Sequence, residues 1–161
     1  MAQAFYVNIT GQKQGVIKGD VTVKGHEGSI LGLALSHEVL SPRDPASGLA
    51  TGKRMHKPLT ITTPWGSASP KLLNALYNNE SLTSVLMHFS RSMANGIETE
   101  FMTIELTNAS VSDLVSRVPN VSDPNLVKMQ EYHEVSFTYQ KIKTTFLDGA
   151  IVAIDSWEAP V

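Results

Sequence analysis

The residues best suited to chemistry in this sequence are five histidines, three of which stand directly before a glutamate. His26, His37 and His133 form these pairs, and none extends into the H-E-x-x-H spacing that binds zinc on one face of a helix. Neighbouring residues of a strand point to opposite faces of the sheet, so no pair is well placed to form one shared site. The histidines therefore indicate structural or surface roles and predict no metal site.

Phosphate-binding and nucleophile patterns are also incomplete. Gly52-Lys53-Arg54 contains the Gly-Lys core of a phosphate-binding loop, but that loop needs Gly at position 47 and Ser or Thr at position 54, where the chain has Ser47 and Arg54. The sequence has no G-x-S-x-G motif, no pair of carboxylates in apolar surroundings, and no cysteine. We therefore predict that the protein is not an enzyme and binds neither metal nor cofactor.

Length, charge and hydropathy exclude further classes. The 161 residues, 17.5 kDa in mass, fit a single domain over residues 1–161. A net charge of −2 gives no support for nucleic-acid binding, and the longest apolar run, Leu31–Leu35, is too short to insert into a membrane. Charged residues make up only 17% of the chain, against about 25% in a typical soluble domain. This deficit favours either a surface that is desolvated against a partner or a β-rich chain with Ser and Thr on its strands.

Most of the chain has the alternating pattern of β-strands. Phe5, Val7 and Ile9 alternate with polar residues, and Asn95-Gly96 is a strong signal for a hairpin turn. The same reasoning predicts strands at about 5–10, 21–23, 30–39, 59–63, 84–90, 101–107, 111–118, 132–143 and 151–157. So many short strands predict a mainly β fold, either an antiparallel sandwich or a barrel.

One helix is predicted, at about residues 69–78. Ser69 suits the N-cap and Pro70 suits the first helical position. An apolar stripe follows at helical spacing: Leu72, Leu73, Leu76 and Tyr77. We expect this helix to lie against one side of a sheet.

The strand predicted at 30–39 has two different faces. Leucines dominate one face, which ends in His37 and Val39. The other face is small and becomes more polar along the strand: Gly32, Ala34, Ser36 and Glu38. We expect the first face to pack into a core and the second to face water or a lumen.

An extended loop, at about residues 41–57, interrupts the strands. It contains two prolines and has no hydrophobic periodicity. Its basic residues are Arg43, Lys53, Arg54 and Lys57. Loops longer than about 12–15 residues in a compact domain are usually functional or disordered, so this segment is a candidate functional element.

Five segments spread over nearly the whole chain resemble the Hcp (haemolysin-coregulated protein) family, the tube proteins of bacterial type VI secretion. They are, in family order, Lys24–Ile30, Gly52–Pro58, Ala68–Leu76, Glu134–Ile142 and Asp155–Pro160. None alone identifies a mechanism, but their common register and the matching chain length are specific.

The resemblance implies a small antiparallel barrel built from two sheets, with one flanking helix and the extended loop. It further implies hexameric rings that stack into the inner tube of a type VI secretion system in a Gram-negative bacterium. A contractile sheath drives the tube, with a spike protein at its tip, out of the cell, and effectors travel protected in its channel. The protein would thus be cytoplasmic before firing and secreted afterwards without a signal peptide.

Two sets of site residues follow from this reading. The ring-stacking set lies in the extended loop: Arg43, Asp44, Lys53, Arg54, His56 and Lys57. The alternative for this loop is a mobile, solvated segment. The lumen set is the small strand face: Gly32, Ala34, Ser36 and Glu38. The alternative for that face is packing against the neighbouring protomer.

Two other classes of protein remain open at this point. A phage tail tube protein would use a similar barrel and ring. A stand-alone β-sandwich binding module, for carbohydrate as an example, would need exposed aromatic side chains. The chain has only two Trp and four Tyr, and Tyr77 and Tyr139 fall on faces that pattern as core.

Overall fold

The computed structural model describes residues 1–158, so the last residues of the predicted single domain lie outside the described residues. Within that range the chain forms twelve strands and one helix: β1 Phe5–Gly11, β2 Gly15–Ile17, β3 Ile30–Gly32, β4 Ala34–Ser36, β5 Val39–Leu40, β6 Met55–His56, β7 Leu59–Pro64, α1 Ser69–Tyr77, β8 Leu82–Ser92, β9 Glu98–Arg117, β10 Tyr132–Thr138, β11 Lys141–Phe146 and β12 Ile151–Ser156. The predicted mainly β, antiparallel class with one helix is confirmed.

Two antiparallel sheets share one strand, which joins them into one body. The first sheet runs β2-β1-β8-β9-β11-β12, with β3 also paired to β1. The second runs β9-β10-β7-β4. β9 therefore lies in both sheets, while β3 and β4 are joined only by Leu33, whose N–H donates to the carbonyl of Thr62 at 2.8 Å. The chain link at Leu33 connects the two ends of the paired path β3-β1-β8-β9-β10-β7-β4 and completes a circuit, as expected of a small barrel made of two sheets.

The longest strand, β9, changes sheet at a bend. Its first part pairs with β8 and β11, and its last part, from Ser110 to Arg117, pairs with β10. Between the two parts, Asn108 has a positive φ of 49°, a conformation that Asn adopts more readily than most residues. The side-chain amide of Asn108 donates to Gln140 Oε1 at 2.9 Å, which fixes the bend against the link between β10 and β11.

The core fills the space inside the circuit and beneath the helix. Helix α1 contributes Leu72 and Ala75, each 1% exposed, and packs near β9. The fully buried side chains of the strands are Val7, Ile9, Ile17, Leu59, Ile61, Leu82, Val85, Met87, Leu106, Val135 and Phe137. This alternation of buried and half-buried residues is the pattern that predicted the strands.

Several predicted boundaries are wrong. Residues 21–23 form no strand, and the strand predicted at 30–39 is three short strands, because the chain crosses between sheets at Leu33. The segments predicted at 101–107 and 111–118 are the two parts of β9, and the segment at 132–143 divides at Tyr139. No helix of residues 1–158 is long and apolar enough to cross a membrane.

The helix matches its predicted range but differs at its ends. Ala68, and not Ser69, occupies the N-cap position, and the hydroxyl of Ser69 accepts the Gly66 N–H at 3.0 Å. The predicted apolar stripe includes Tyr77, which the structure leaves 73% exposed. Ala75 and Leu76 of the same turn pack against the core, so among the apolar residues of that turn only Tyr77 points away from it.

Replacement of Leu72 by Ala is expected to lower the free energy of unfolding by about 2–5 kcal/mol, because it opens a cavity in a fully buried site. Tyr77→Ala is the matched control on the same helix and is expected to change stability by less than about 0.5 kcal/mol. Urea unfolding followed by circular dichroism measures both values. Equal losses in the two variants would contradict the burial of this helix face.

Candidate functional site

The extended loop is a paired, hairpin-like segment. Its neck is the β5–β6 ladder, in which Val39 pairs with His56 and Leu40 with Met55. Farther out, Arg43 forms a bridge with Ala50, and the Thr51 N–H donates to the Pro42 carbonyl at 3.0 Å. These contacts give the loop a defined direction from the barrel, which favours a functional element over the alternative of a solvated, mobile segment.

Asp44 closes the turn at the end of the extended loop. Its carboxylate accepts the Ala46 N–H at 3.0 Å and the Ser47 hydroxyl at 2.9 Å. The backbone bond from Ala46, then the hydroxyl of Ser47, hold the pKa of the Asp44 carboxyl below its ordinary value. This carboxylate is therefore committed to the shape of the turn.

The base of the loop meets a buried cluster centred on Tyr139. The hydroxyl of Tyr139 lies 2.8 Å from His37 Nε2 and 2.8 Å from His56 Nδ1. Tyr139 is 4% exposed, and burial, reinforced by the charge of Asp155, raises its pKa to about 12. His37 precedes the loop and His56 ends it, so one hydroxyl connects both sides of the loop base.

Asp155 of β12 completes the polar part of the cluster. Its Oδ2 accepts from His56 Nε2 at 2.7 Å, and its two oxygens pair with the guanidinium of Arg54. The hydrogen bonds from Arg54, followed by that from His56, outweigh desolvation and hold the pKa of Asp155 well below its usual range. Arg54 and His56 are therefore brought together on one carboxylate.

Aromatic packing covers this polar group. The indole of Trp157 stacks on His56 with centroids 5.7 Å apart and meets the Tyr139 ring edge-on at 5.0 Å. We call His37, Arg54, His56, Tyr139, Asp155 and Trp157 the tyrosine cluster. It anchors the extended loop to the corner between β10 and β11 and to the C-terminal strand.

The predicted loop residues divide into two groups. Arg43 and Asp44 lie beyond the neck, in the outer part of the loop. The remaining four lie at its base and contact the same chain: Lys53 donates to the Glu158 carbonyl at 2.9 Å, Lys57 pairs with Glu38 at 3.1 Å, and Arg54 and His56 contact Asp155. A role in stacking stays a prediction for all six, and the outer pair is the better placed to reach another molecule.

One residue of the predicted lumen face, Gly32, does not lie on that face. Gly32 is buried, and a Cβ built on it would lie 2.2 Å from the Phe5 ring, so this glycine gives the ring room and faces the interior. The prediction treated 30–39 as one strand, and the crossing at Leu33 changes which residues share a face. Ala34, Ser36 and Glu38 are exposed and stay candidates for the lumen.

Sequence reasoning missed four members of the tyrosine cluster: His37, Tyr139, Asp155 and Trp157. Tyr139 and His37 lie on apolar alternating faces, so the pattern indicates burial but no partner. The contacts join positions about 100 residues apart, and no local motif predicts such a pairing.

The described residues form no metal-binding cluster, and their apolar cavity contains a single carboxylate. Within residues 1–158, no group of three His, Asp or Glu side chains is arranged to hold a metal ion. A cavity of about 340 Å³ lies between the segment before β3 and the start of α1, with an apolar lining that includes Val21, Ile30, Trp65 and Leu72. The one carboxylate in that lining, Asp20, accepts the Ser67 N–H at 2.8 Å. That carboxylate is therefore bound to the backbone just before the helix.

The lowered pKa of Asp155 determines how the stability of the protein changes with pH. Its contribution to stability is present above the unfolded-state pKa of about 3.9 and is lost as the pH falls through the lower folded-state value. Asp155→Asn is therefore expected to be less stable than the parent by about 1–3 kcal/mol at pH 7, with the difference shrinking below about pH 4. Thermal unfolding across this range measures it, with Asp148→Asn in an exposed turn as the control. A difference that is constant with pH would contradict the assignment.

Comparison with known proteins gives a consistent result along the whole chain. The family described as "Type VI secretion system effector, Hcp" matches residues 6–146. A "Major exported protein" of Pseudomonas aeruginosa is 37% identical over 170 aligned positions, covering 100% of this chain and 99% of the relative.

Solved structures agree with the sequence match. A structure titled "Crystal structure of Hcp protein" superposes with a TM-score of 0.91 at 28% identity, covering 99% of this chain and 100% of that one. The "Secreted protein Hcp3 from Pseudomonas aeruginosa" superposes with a TM-score of 0.81 at 29% identity, covering 98% and 100%. The same fold therefore recurs in proteins of that name, and this chain belongs to the Hcp family of type VI secretion proteins.

Proposed function

We propose that this protein is a structural, non-enzymatic subunit that assembles into hexameric rings, and that the rings stack into the inner tube of a type VI secretion system. The tube is exported when the sheath contracts, with a spike protein at its tip and effectors in its channel. The subunit is cytoplasmic before firing and extracellular afterwards. The name of the exported relative and the family match support the secretion context.

The observation that carries the ring proposal is the apolar edge formed by β12. Within residues 1–158, this strand pairs only with β11. Ile151 is 65% exposed and Ile154 is 54% exposed, and Val152 between them is also exposed. Ile151 and Ile154 are three positions apart on the strand, so apolar groups are exposed on both faces of the edge. Exposed apolar edge strands associate with other chains unless they are protected.

A second surface is available at the far end of the same sheet. There β2 pairs only with β1 among the described strands, and its Val16 is 62% exposed. The two edges differ in length and sequence, so joining one to the other makes a heterologous contact. Such contacts close into rings when the rotation between subunits is a simple fraction of a turn. This asymmetry supports a ring over a twofold dimer.

The extended loop supplies the contact between rings in this proposal. Its outer part presents Arg43 and an ordered turn away from the barrel, and its base is fixed by the tyrosine cluster. Ala34, Ser36 and Glu38 provide a small, polar surface for the channel, which would keep the lumen open and hydrated.

The exposed edge predicts the mass in solution. Light scattering coupled to size exclusion is expected to give about 105 kDa for the parent, six times 17.5 kDa. Ile154→Glu is expected to reduce this mass to that of the protomer, because a desolvated carboxylate in the contact is unfavourable. Val127→Glu changes an equally exposed residue outside the strands and should leave the ring intact. A parent that is monomeric at every concentration would favour a stand-alone binding module.

Stacking of rings is tested separately with Arg43, since Arg54 pairs within the protomer and its reversal would disturb the loop base. Arg43→Glu is expected to give fewer and shorter tubes by negative-stain electron microscopy, because a like charge across a contact is repulsive. The mass of the ring should not change. Lys24→Glu, at another exposed site, is the control, and tubes of parental length in Arg43→Glu would remove the outer loop from the contact.

A further inference from the structure

When both histidines are neutral, only one assignment of donors and acceptors satisfies every hydrogen bond of the tyrosine cluster. The ionised carboxylate of Asp155 only accepts, so His56 Nε2 must carry a proton and donate to it. His56 Nδ1 is then an acceptor, and the Tyr139 hydroxyl donates a hydrogen bond to it. The Tyr139 oxygen in turn accepts from His37 Nε2. One carboxylate thus fixes the proton positions along the whole chain.

A single added proton can be accommodated by reversing part of that order. If His56 is protonated at both nitrogens, Nδ1 donates to the Tyr139 oxygen. The hydroxyl proton then turns toward His37 Nε2, which accepts it in its other neutral tautomer. The hydrogen bonds that join His37, Tyr139, His56 and Asp155 are all kept, and the new charge lies beside Asp155 at 2.7 Å.

A second proton cannot be accommodated. With both histidines charged, each directs an N–H at the Tyr139 oxygen, and the hydroxyl proton has no acceptor within the cluster. The two cations also repel each other across one buried oxygen. Burial, and then the charge of His56, lower the pKa of His37, which agrees with this antagonism.

The charged groups around the chain do not relieve that conflict. Arg54, just before β6, is a cation paired with Asp155, and Trp157 stacks on His56 from the segment after β12. Lys53 donates to the Glu158 carbonyl, and Lys57 pairs with Glu38 at the neck. Among the described residues that bond to the two histidines and Tyr139, Asp155 is the only acid, and it contacts His56 and not His37.

We propose that the tyrosine cluster is an acid-sensitive clamp on the extended loop. It holds both sides of the loop base with no proton or one proton added to the histidine pair, and it releases the loop when both histidines are charged. The clamp is a property of the protomer. Only its consequence, that acid weakens contacts between rings, rests on the proposed stacking function.

Motion of the extended loop is measured directly with one fluorescent label. The chain has no cysteine, so Ala46→Cys places a single label on the exposed turn. Time-resolved anisotropy separates fast local motion of the loop from tumbling of a ring. Because the second proton is resisted, lowering the pH from about 7.5 is expected to increase the fast component in one step below the ordinary histidine pKa of about 6.5, while circular dichroism stays constant.

His37→Gln distinguishes the clamp from a general acid effect. The glutamine amide can donate to Tyr139 or accept from it, but it cannot take a second proton. This variant is expected to lose the acid step and keep an ordered loop throughout the range. His88→Gln changes a histidine that pairs with Glu100 outside the cluster and should keep the parental step. Tyr139→Phe removes the bridging hydroxyl and is expected to show the fast component already at pH 7.5.

Protonation is followed independently through Trp157, which stacks on His56. Trp65→Phe leaves it as the one tryptophan of the chain, and its emission is expected to fall as His56 becomes charged. A loop that stays ordered at a pH where the imidazole NMR signals of His37 and His56 show both rings protonated overturns the proposal, as does a parental step in His37→Gln. Neither result depends on whether rings stack, so failure of the clamp is distinguishable from failure of the tube proposal.

Discussion

The fold depends on a corner at which two long strand paths pass together from one sheet to the other. β9 turns at Asn108, and the path through β10 and β11 turns beside it at Tyr139 and Gln140. A bend removes ladder bonds, so the corner has to satisfy its backbone groups by other means. The Gln140 N–H donates to the carbonyls of both Thr107 and Asn108, and the Asn108 side chain returns a bond to Gln140. This corner fixes Tyr139 in the interior, and the anchor of the extended loop is built on its hydroxyl.

Local patterns predicted the strands and the helix because burial alternates along them, as at Val7 and Ile9 or at Val135 and Phe137. They failed where the chain changes sheet. At Leu33 a single residue carries the path across, so Gly32 faces the core although an unbroken alternation places it with Ala34. The cluster was beyond prediction for a related reason: it joins residues that are close only after both sheets have formed. The resemblance to a family supplied the architecture and not these contacts.

Polar residues at the loop base are stable in buried or half-buried positions because each has a partner of the right kind. Asp155 gives two oxygens to Arg54 and one contact to His56, and Tyr139 both donates and accepts. Buried networks of this type are favourable only when every member is satisfied. The same requirement fixes the geometry, since a displaced loop would leave a carboxylate and a hydroxyl unpaired. The network therefore specifies where the extended loop leaves the barrel more sharply than apolar contacts alone would.

The cluster also affects the neighbouring edge. Proteins commonly protect an exposed edge strand with charge or proline. β12 has no proline and no charged side chain that points to solvent at the edge. Its sequence, Ile151–Ser156, contains one charged residue, Asp155, and that carboxylate is turned inward to Arg54 and His56. The rest of the strand can thus be desolvated against a partner without burying a free charge, which is the main cost of such contacts. The interaction that anchors the extended loop within the protomer is therefore also the one that keeps a free charge off the apolar edge proposed to form the ring contact.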